Sequence, residues 1–389
     1  PAEPGPVSGD ELADTPLQLG LAADPRAVKV VVASEGLYRL GAADLAAAGL
    51  DVRADPRTIR MFHLGREIAI RVSGELDGRL DPSDEVVFYG RRNPWRLVHR
   101  PESTRYTDED VYWLTMGRGF GRRMEDVAAR PPARAVPVAD VAAAVHVERD
   151  SILYPRLEGG EGFDHWFGAS LYAAGAPARL EVSVATPFLS ARPHAARLLV
   201  ALAGVTDPPA DPDHRVVVSI NGIEAGEVVW NGRRPAEGDF EVPSAALLAG
   251  ANVVELRLPA DLPGSSPDLV FVDFVRLEYR ARPVAVGGAL AFLGEAAPAV
   301  EVSGLGDRPL GVDASDPWAP RWLAGLEARA GVTRLVSGAG RRFLAGRAAL
   351  RAPLRLERNA PSTWHAAARA DWIAIAHPSL VESIRPLAE

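Results

Sequence analysis

Acidic side chains concentrate in one short stretch, residues 73–84, with the sequence SGELDGRLDPSD. Their spacing around Gly78 matches a calcium loop, in which alternate residues and a final acidic residue supply oxygen ligands. Ser73 occupies the first ligand position, where such loops usually have aspartate, and the last position holds a short aspartate side chain. A solvated acidic β-turn explains the same residues, so both interpretations stay open. The candidate calcium ligands are Glu75, Asp77, Asp81 and Asp84.

A second polar cluster, DPPADPDH at residues 207–214, combines three aspartates with His214. Carboxylate and imidazole groups together can bind a metal ion or transfer protons. The alternative is a loop between two strands, in which proline fixes the path and aspartate caps the turn. In that case His214 hydrogen-bonds within the edge of the sheet.

Two tryptophans are candidates for a sugar-binding platform, because flat aromatic faces can stack on pyranose rings. They are Trp166, within the segment DHWF at residues 164–167, and Trp230, on a predicted strand. Burial of one such side chain stabilises a fold by roughly 1.5–3 kcal/mol. The competing interpretation therefore places both rings in a core.

An arginine-rich loop between residues 91 and 105 could contact an acidic partner surface. A solvated charged loop is the alternative. Its arginines are Arg91, Arg92, Arg96, Arg100 and Arg105.

Composition removes several classes of function. The 389 residues include no cysteine, so disulfides, thiolate metal sites and cysteine nucleophiles are excluded within this chain. The net charge is −8 without a basic stripe, which disfavours nucleic-acid binding. No apolar run is long enough to predict a membrane span. Calcium is the one cofactor that the residues suggest.

The elements that must position these residues are mostly short strands, and the predicted fold is mainly β. Strands alternate with turns every 8–14 residues, and Asn221-Gly222 is a strong hairpin signal. We predict tandem β domains that include a jelly-roll-like sandwich. The predicted divisions are a tail at 1–25, a β-rich domain with one short helix at 26–130, the sandwich at 131–283, a small sandwich at 284–366 and an α/β start at 367–389.

The last stretch, ADWIAIAHPSLVESIRPLAE at residues 370–389, has a different pattern. A short apolar strand at 371–376 precedes a tight turn and an amphipathic segment at 380–387, as at the beginning of an α/β domain. We expect this domain to be truncated. The side chains that then need cover, from a neighbouring domain or another chain, are Trp372, Ile373 and Ile375.

Several stretches, in their order along the chain, resemble the amino-terminal region of gingipain-type cysteine peptidases, a family that includes the cell-surface sortase of type IX secretion. The resemblance covers most of residues 26–389. It implies that the catalytic His and Cys lie beyond Glu389, so that no residue here, including His377, is implied as catalytic. The matching stretches are EGLYRLGAADLAAAGLDVRADPRTIRMFHLGREIAIRV, DGRLDPSDEVVFYG, YTDEDVYWLTMGRGFGRRM, FDHWFG, DPDHRVVVSINGIEAGEVVW, LVFVDFVRLEY and ADWIAIAHPSLVESIRPLAE.

Three functions are consistent with these patterns. The resemblance implies a non-catalytic region of a secreted or cell-surface peptidase, with the signal peptide removed before Pro1, that packs on the peptidase domain and positions or restrains it. The second function is a jelly-roll module that binds a glycan or a cell surface. The third is a structural subunit of an extracellular assembly, in which the strand at 371–376 adds to another chain.

Overall fold

β-Strands dominate the architecture, which a computed structural model describes for residues 15–91, 107–117, 119–157, 165–361 and 373–387. The strands form several separate sheets, and helices are few and short among the described residues. The prediction of a mainly β fold is therefore confirmed. Single 3₁₀ turns occur at Pro56–Thr58, Glu75–Asp77, Ser244–Ala246, Arg347–Ala349, Pro378–Leu380 and Arg385–Leu387.

The first region contains two helices and seven strands. The helices are α1 (Thr15–Ala23) and α2 (Ala42–Ala47). The strands are β1 (Val28–Val32), β2 (Gly36–Gly41), β3 (Ile59–His63), β4 (Arg66–Ile68), β5 (Arg71–Val72), β6 (Glu85–Gly90) and β7 (Asp110–Met116).

The middle region is built from strands joined by turns. They are β8 (Asp126–Ala128), β9 (Pro137–Val138), β10 (Val141–Glu148), β11 (Ile152–Leu153), β12 (Trp166–Phe167), β13 (Ala169–Ala173), β14 (Ala178–Thr186), β15 (Ala195–Gly204), β16 (His214–Ile220), β17 (Ile223–Trp230), β18 (Pro235–Pro243), β19 (Gly250–Leu258) and β20 (Asp268–Ala281).

The last region adds eight shorter strands and a one-turn helix. They are β21 (Ala289–Gly294), β22 (Ala299–Ser303), β23 (Pro309–Asp313), β24 (Arg321–Ala324), β25 (Ala328–Arg329), β26 (Val332–Leu335), β27 (Gly340–Gly346), β28 (Arg355–Arg358) and α3 (Val381–Ile384).

The first sheet has the order β28-β1-β7-β3-β4. β1 pairs with β7, whereas the next strand along the chain, β2, pairs with β6 in a separate sheet. Alternating Val28, Val30 and Val32 face the core of this region. The opposite face of the sheet is covered by α1, so the described part of the predicted tail is a docked helix.

A β-sandwich forms the middle of the molecule, as predicted. The four-stranded sheet β14-β19-β16-β17 packs on β13, β15, β18 and β20 of a larger sheet. Their inward-facing residues share one apolar core, because alternate side chains of each strand point between the sheets. Asn221 and Gly222 both have positive φ, at 50° and 79°, as the predicted two-residue hairpin requires.

One sheet contains strands from more than one of the predicted divisions. One ten-stranded sheet runs from β18 in the sandwich to β8, and it includes strands from both sides of residues 131 and 284. Strand β28 returns to pair with β1. Local patterns do not reveal such pairings, because each joins segments that are distant in sequence.

Candidate functional site

Each carboxylate of the predicted calcium loop has its own partner within the protein. Glu75 accepts a hydrogen bond from Nε of Arg123 at 2.8 Å, and Asp81 lies 3.2 Å from Nε of Arg79. Asp77 accepts the backbone N–H of Arg79, and Asp84 accepts that of Asp81. In the described part of the chain, no three His, Asp or Glu side chains are grouped as metal ligands. These contacts are those of a hydrogen-bonded acidic turn, and calcium binding by this loop stays a prediction.

Trp230 is not available as a sugar platform. Its side chain is 6% exposed and belongs to the core of the sandwich. The ring stacks on that of His214, with centroids 4.8 Å apart. The interpretation of Trp230 as a surface residue is therefore wrong, because its alternation on β17 points it inward.

His214 is the centre of a buried polar cluster. Its Nδ1 lies 2.6 Å from Oδ1 of Asp268, and its Nε2 lies 3.1 Å from the carbonyl oxygen of Thr206. Burial by itself would lower the pKa of His214, but the hydrogen bond and charge of Asp268, with the charge of Asp213, outweigh it and raise the pKa. Both ring nitrogens thus face acceptors, as suits an imidazolium ion.

The aspartates next to His214 hold the local backbone and side chains in place. Asp213 accepts the backbone N–H of Gly232 at 2.9 Å, and Asp211 accepts Nδ2 of Asn231 at 2.6 Å. His214 is 0% exposed, so substrate cannot reach it in this conformation. The geometry matches the interpretation of residues 207–214 as a loop that His214 anchors to the sandwich.

Of the two tryptophans considered as a sugar-binding platform, Trp166 is the one that is not in the sandwich core. It is half-buried on β12, opposite Leu153 on β11, while the adjacent Phe167 packs into a small core with Phe271. Its neighbour Asp164 lies outside the described residues. So do Trp372 and the arginine-rich loop beyond Arg91, namely residues 92–106.

A groove of about 300 Å³ lies on the solvent face of the four-stranded sheet. Sequence reasoning missed it, because its residues come from four strands and meet only through the sheet register. None of its described lining residues is aromatic. Its polar side chains are Glu181, Ser219, Asn221, Glu224, Glu255 and Arg257.

Charged groups also join the first region to the ten-stranded sheet. Glu35 accepts a hydrogen bond from Nε of Arg341 at 2.9 Å and another from the Tyr89 hydroxyl at 2.5 Å. Burial, and next the charge of Glu35, raise the pKa of Tyr89. Nη2 of Arg347 donates to Oε2 of Glu85 at 2.7 Å. These contacts fix the two regions relative to each other.

The last described segment, residues 373–387, is exposed along nearly all its length. The predicted strand at 371–376 is absent from its described part, since residues 373–377 have no regular structure. The predicted amphipathic segment is helical, with α3 flanked by 3₁₀ turns. Ile373 is 72% exposed and Ile375 is 96% exposed. These side chains have the uncovered surface that the sequence predicts will need a partner.

No helix among the described residues is long and apolar enough to cross a membrane. The sequence matches no family model and no curated protein. The fold is similar to that of dimeric latent PorU from Porphyromonas gingivalis, with a TM-score of 0.60, 16% identity and coverage of 87% of this chain. The match covers 34% of PorU, so the chain spans about a third of that protein's length.

Carbohydrate-binding modules give weaker matches. One is the CBM36-1 domain of a xylanase from the hindgut metagenome of Trinervitermes trinervoides, with 18% identity and a TM-score of 0.22 over 35% of this chain and 95% of that module. Another is a CBM36 module in complex with calcium and xylotriose, with 18% identity and a TM-score of 0.22 over 35% of this chain and 98% of that module. Similarity at this level supports no functional conclusion.

Proposed function

We propose that this chain is the non-catalytic amino-terminal region of a longer, secreted, gingipain-like cysteine peptidase, and that it packs on the peptidase domain and positions or restrains it. The observation that carries the proposal is the match of most of the chain to part of PorU, a gingipain-like sortase of type IX secretion. The order of the family-like stretches along the sequence supports the same interpretation.

The β architecture suits a scaffolding role. Sheets that cross the predicted divisions, and ion pairs such as Glu35–Arg341, join the regions into a body that can hold a neighbour in place. The buried His214 cluster is committed to internal hydrogen bonds. Restraint would then come from occlusion by a surface of this body.

The segment at 373–387 supplies the link to the following domain. Its exposed apolar side chains would lie against the sheet and helices of that domain, because an α/β domain buries its first strand on both faces. Both occlusion and positioning of the peptidase domain require this segment to connect it to the β domains.

Hydrogen exchange tests the proposal on the longer protein and on the 389-residue chain. We expect amides of residues 373–387 to exchange at least ~10-fold more slowly in the longer protein, because a docked segment must open before it exchanges. The exposed hairpin tip at 221–223 is the control and keeps one rate in both. Equal, fast exchange of 373–387 in both proteins would overturn the proposal.

A second candidate function, glycan binding, is favoured by the groove on the four-stranded sheet. Its carboxylate, hydroxyl and guanidinium groups can hydrogen-bond to sugar hydroxyls. If this function holds, the Glu255→Ala variant no longer binds the glycans on an array that the unmodified chain binds. The variant Glu301→Ala, at an exposed residue outside the groove, is the control and still binds them. An array without hits for the unmodified chain rejects it.

A further inference from the structure

The described residues between 15 and 361 form what we call the β body, and two of its most exposed apolar side chains lie on neighbouring loops. Leu76 is 95% exposed in the 3₁₀ turn after β5, and Phe120 is 70% exposed in the loop after β7. Most large apolar side chains of this region are buried in its core. Two apolar side chains this exposed on adjoining loops are candidates for contact with a partner.

Arg123 ties the two loops together. Its Nε donates to Glu75 at 2.8 Å, next to Leu76. Its Nη2 donates to the carbonyl oxygen of Pro56 at 2.9 Å, and its Nη1 donates to that of Ile59 at 3.1 Å. The turn that carries Leu76 is therefore held against the start of β3.

Phe120 is held at the same place. The guanidinium of Arg57 lies 5.0 Å from the centre of its ring, and the backbone N–H of Gly121 donates to the carbonyl oxygen of Arg57 at 2.8 Å. A side chain at Gly121 would collide with the carbonyl of Ile59, at 1.9 Å, so the loop sits directly on the strand end. We call the exposed surface of Leu76, Phe120 and Arg57 the loop platform.

Sheet register places the loop platform at the end of the sheet where the chain leaves the β body. Val28 pairs with Leu114 on one side and with Arg358 on the other, while Ile59 pairs with Met116. The ends of β7 and β28 and the start of β3 therefore share one end of the first sheet. The chain continues from there past Asn359, whose side-chain amide binds the carbonyl oxygens of Ala22 and Asp24 beside α1.

The following segment can reach the loop platform and has matching chemistry. Fully extended, the chain from Asn359 to Ile373 spans on the order of 45 Å, whereas three strand spacings between β28 and β3 cover roughly 14 Å. The segment carries Ile373 and Ile375, two apolar side chains that are exposed to solvent.

We propose that the loop platform is the docking surface for the α/β domain whose start is predicted at residues 367–389. This inference rests on the proposed function, because it assigns a surface to the packing proposed there. Leu76 and Phe120 insert into an apolar part of that domain. The neighbouring charges, paired as Arg57–Asp55 and Arg123–Glu75, form the polar rim.

Hydrogen exchange of the longer protein and of the 389-residue chain locates the contact. We expect residues 74–78 and 119–123 to exchange at least ~10-fold more slowly in the longer protein. In the longer protein, the double variant Leu76→Ser/Phe120→Ser should lose this protection. Leu248→Ser changes an apolar side chain of the sandwich that is also exposed, at 58%, and should keep it.

The possible outcomes separate the two proposals. Protection confined to other surfaces of the β body overturns the loop platform but leaves the packing function standing. No protection anywhere in residues 15–361 overturns both. Because the two side chains are exposed, the double variant of the 389-residue chain should unfold at the unmodified temperature. If it does not, the exchange comparison of the unmodified proteins still decides the site.

Discussion

His214 shows how a single residue can look functional in sequence and prove structural. Its imidazole lies between Asp268 and the carbonyl of Thr206 at full burial. The residues that determine its charge are Asp268 and Asp213, and Trp230 covers its ring. The ion pair anchors the loop at 207–213, because losing either partner leaves a buried charge unpaired.

The stability of the chain should therefore depend on pH through His214. Its folded-state pKa is raised above the unfolded value near 6.5, so the contribution is fully present below pH 6.5 and is lost as pH rises through the folded pKa. At pH 6, His214→Gln should lower the free energy of unfolding by about 3–5 kcal/mol. Above pH 6.5, the variant's free energy of unfolding should change less with pH than that of the unmodified chain. Urea unfolding across this range measures both effects. An unchanged pH slope in His214→Gln, with exposed His377→Gln as control, contradicts this account.

Residue patterns predicted some local features well. Asn221-Gly222 gave the hairpin because the required backbone angles depend on those two residues alone. The acidic loop at 73–84 was ambiguous, since ligand spacing does not show that Arg123 and Arg79 take two of its carboxylates. The partner of His214 lies 54 residues away, beyond the reach of any local pattern.

At the scale of elements, the alternation of apolar residues in the sequence indicates where strands lie, but it does not indicate which strands pair with each other. Val28, Val30 and Val32 alternate as in a strand, yet β1 pairs with β7 and β28 rather than with its chain neighbour β2. The segment at 371–376 shows the converse limit. Its apolar pattern suits a strand, but a strand needs a neighbouring strand to pair with, and no described strand pairs with residues 373–377.

The loop between β23 and β24 joins two regions through one residue, Trp318. Trp318 enters the core of the first region at 5% exposure, and its carbonyl accepts the N–H of Ala69 at 2.9 Å. Arg66 lies 4.4 Å from the centre of its ring. The loop that connects β23 and β24 of the ten-stranded sheet thus covers the core of the first region.

Trp318→Ala should lower the free energy of unfolding by about 3–5 kcal/mol, because it empties a large core site. Trp322→Ala is the matched control, since that half-buried ring lies against Arg71 outside this core and should cost less. Denaturant unfolding gives both values. Equal losses in the two variants would mean that Trp318 does not close the core.

Across the whole molecule, half-buried ion pairs should contribute more than exposed ones. Glu35→Gln removes the charge that Arg341 faces, and we expect a loss of about 1–3 kcal/mol. Arg329→Gln breaks a pair that is exposed on both sides, at 76% and 64%, and should change stability by less than about 0.5 kcal/mol. Calorimetry of the two variants measures the difference, and similar losses in both would contradict a joining role for Glu35.

The packing of this β body on a following domain is the central claim, and cutting the connector tests it most directly. A specific protease site inserted at 362–372 of the longer protein would be cleaved, and the products separated by size-exclusion chromatography. We predict that the two parts elute together and that separating them with denaturant and refolding each alone changes peptidase activity. Immediate separation of the two parts after cleavage, with unchanged activity, would contradict the account.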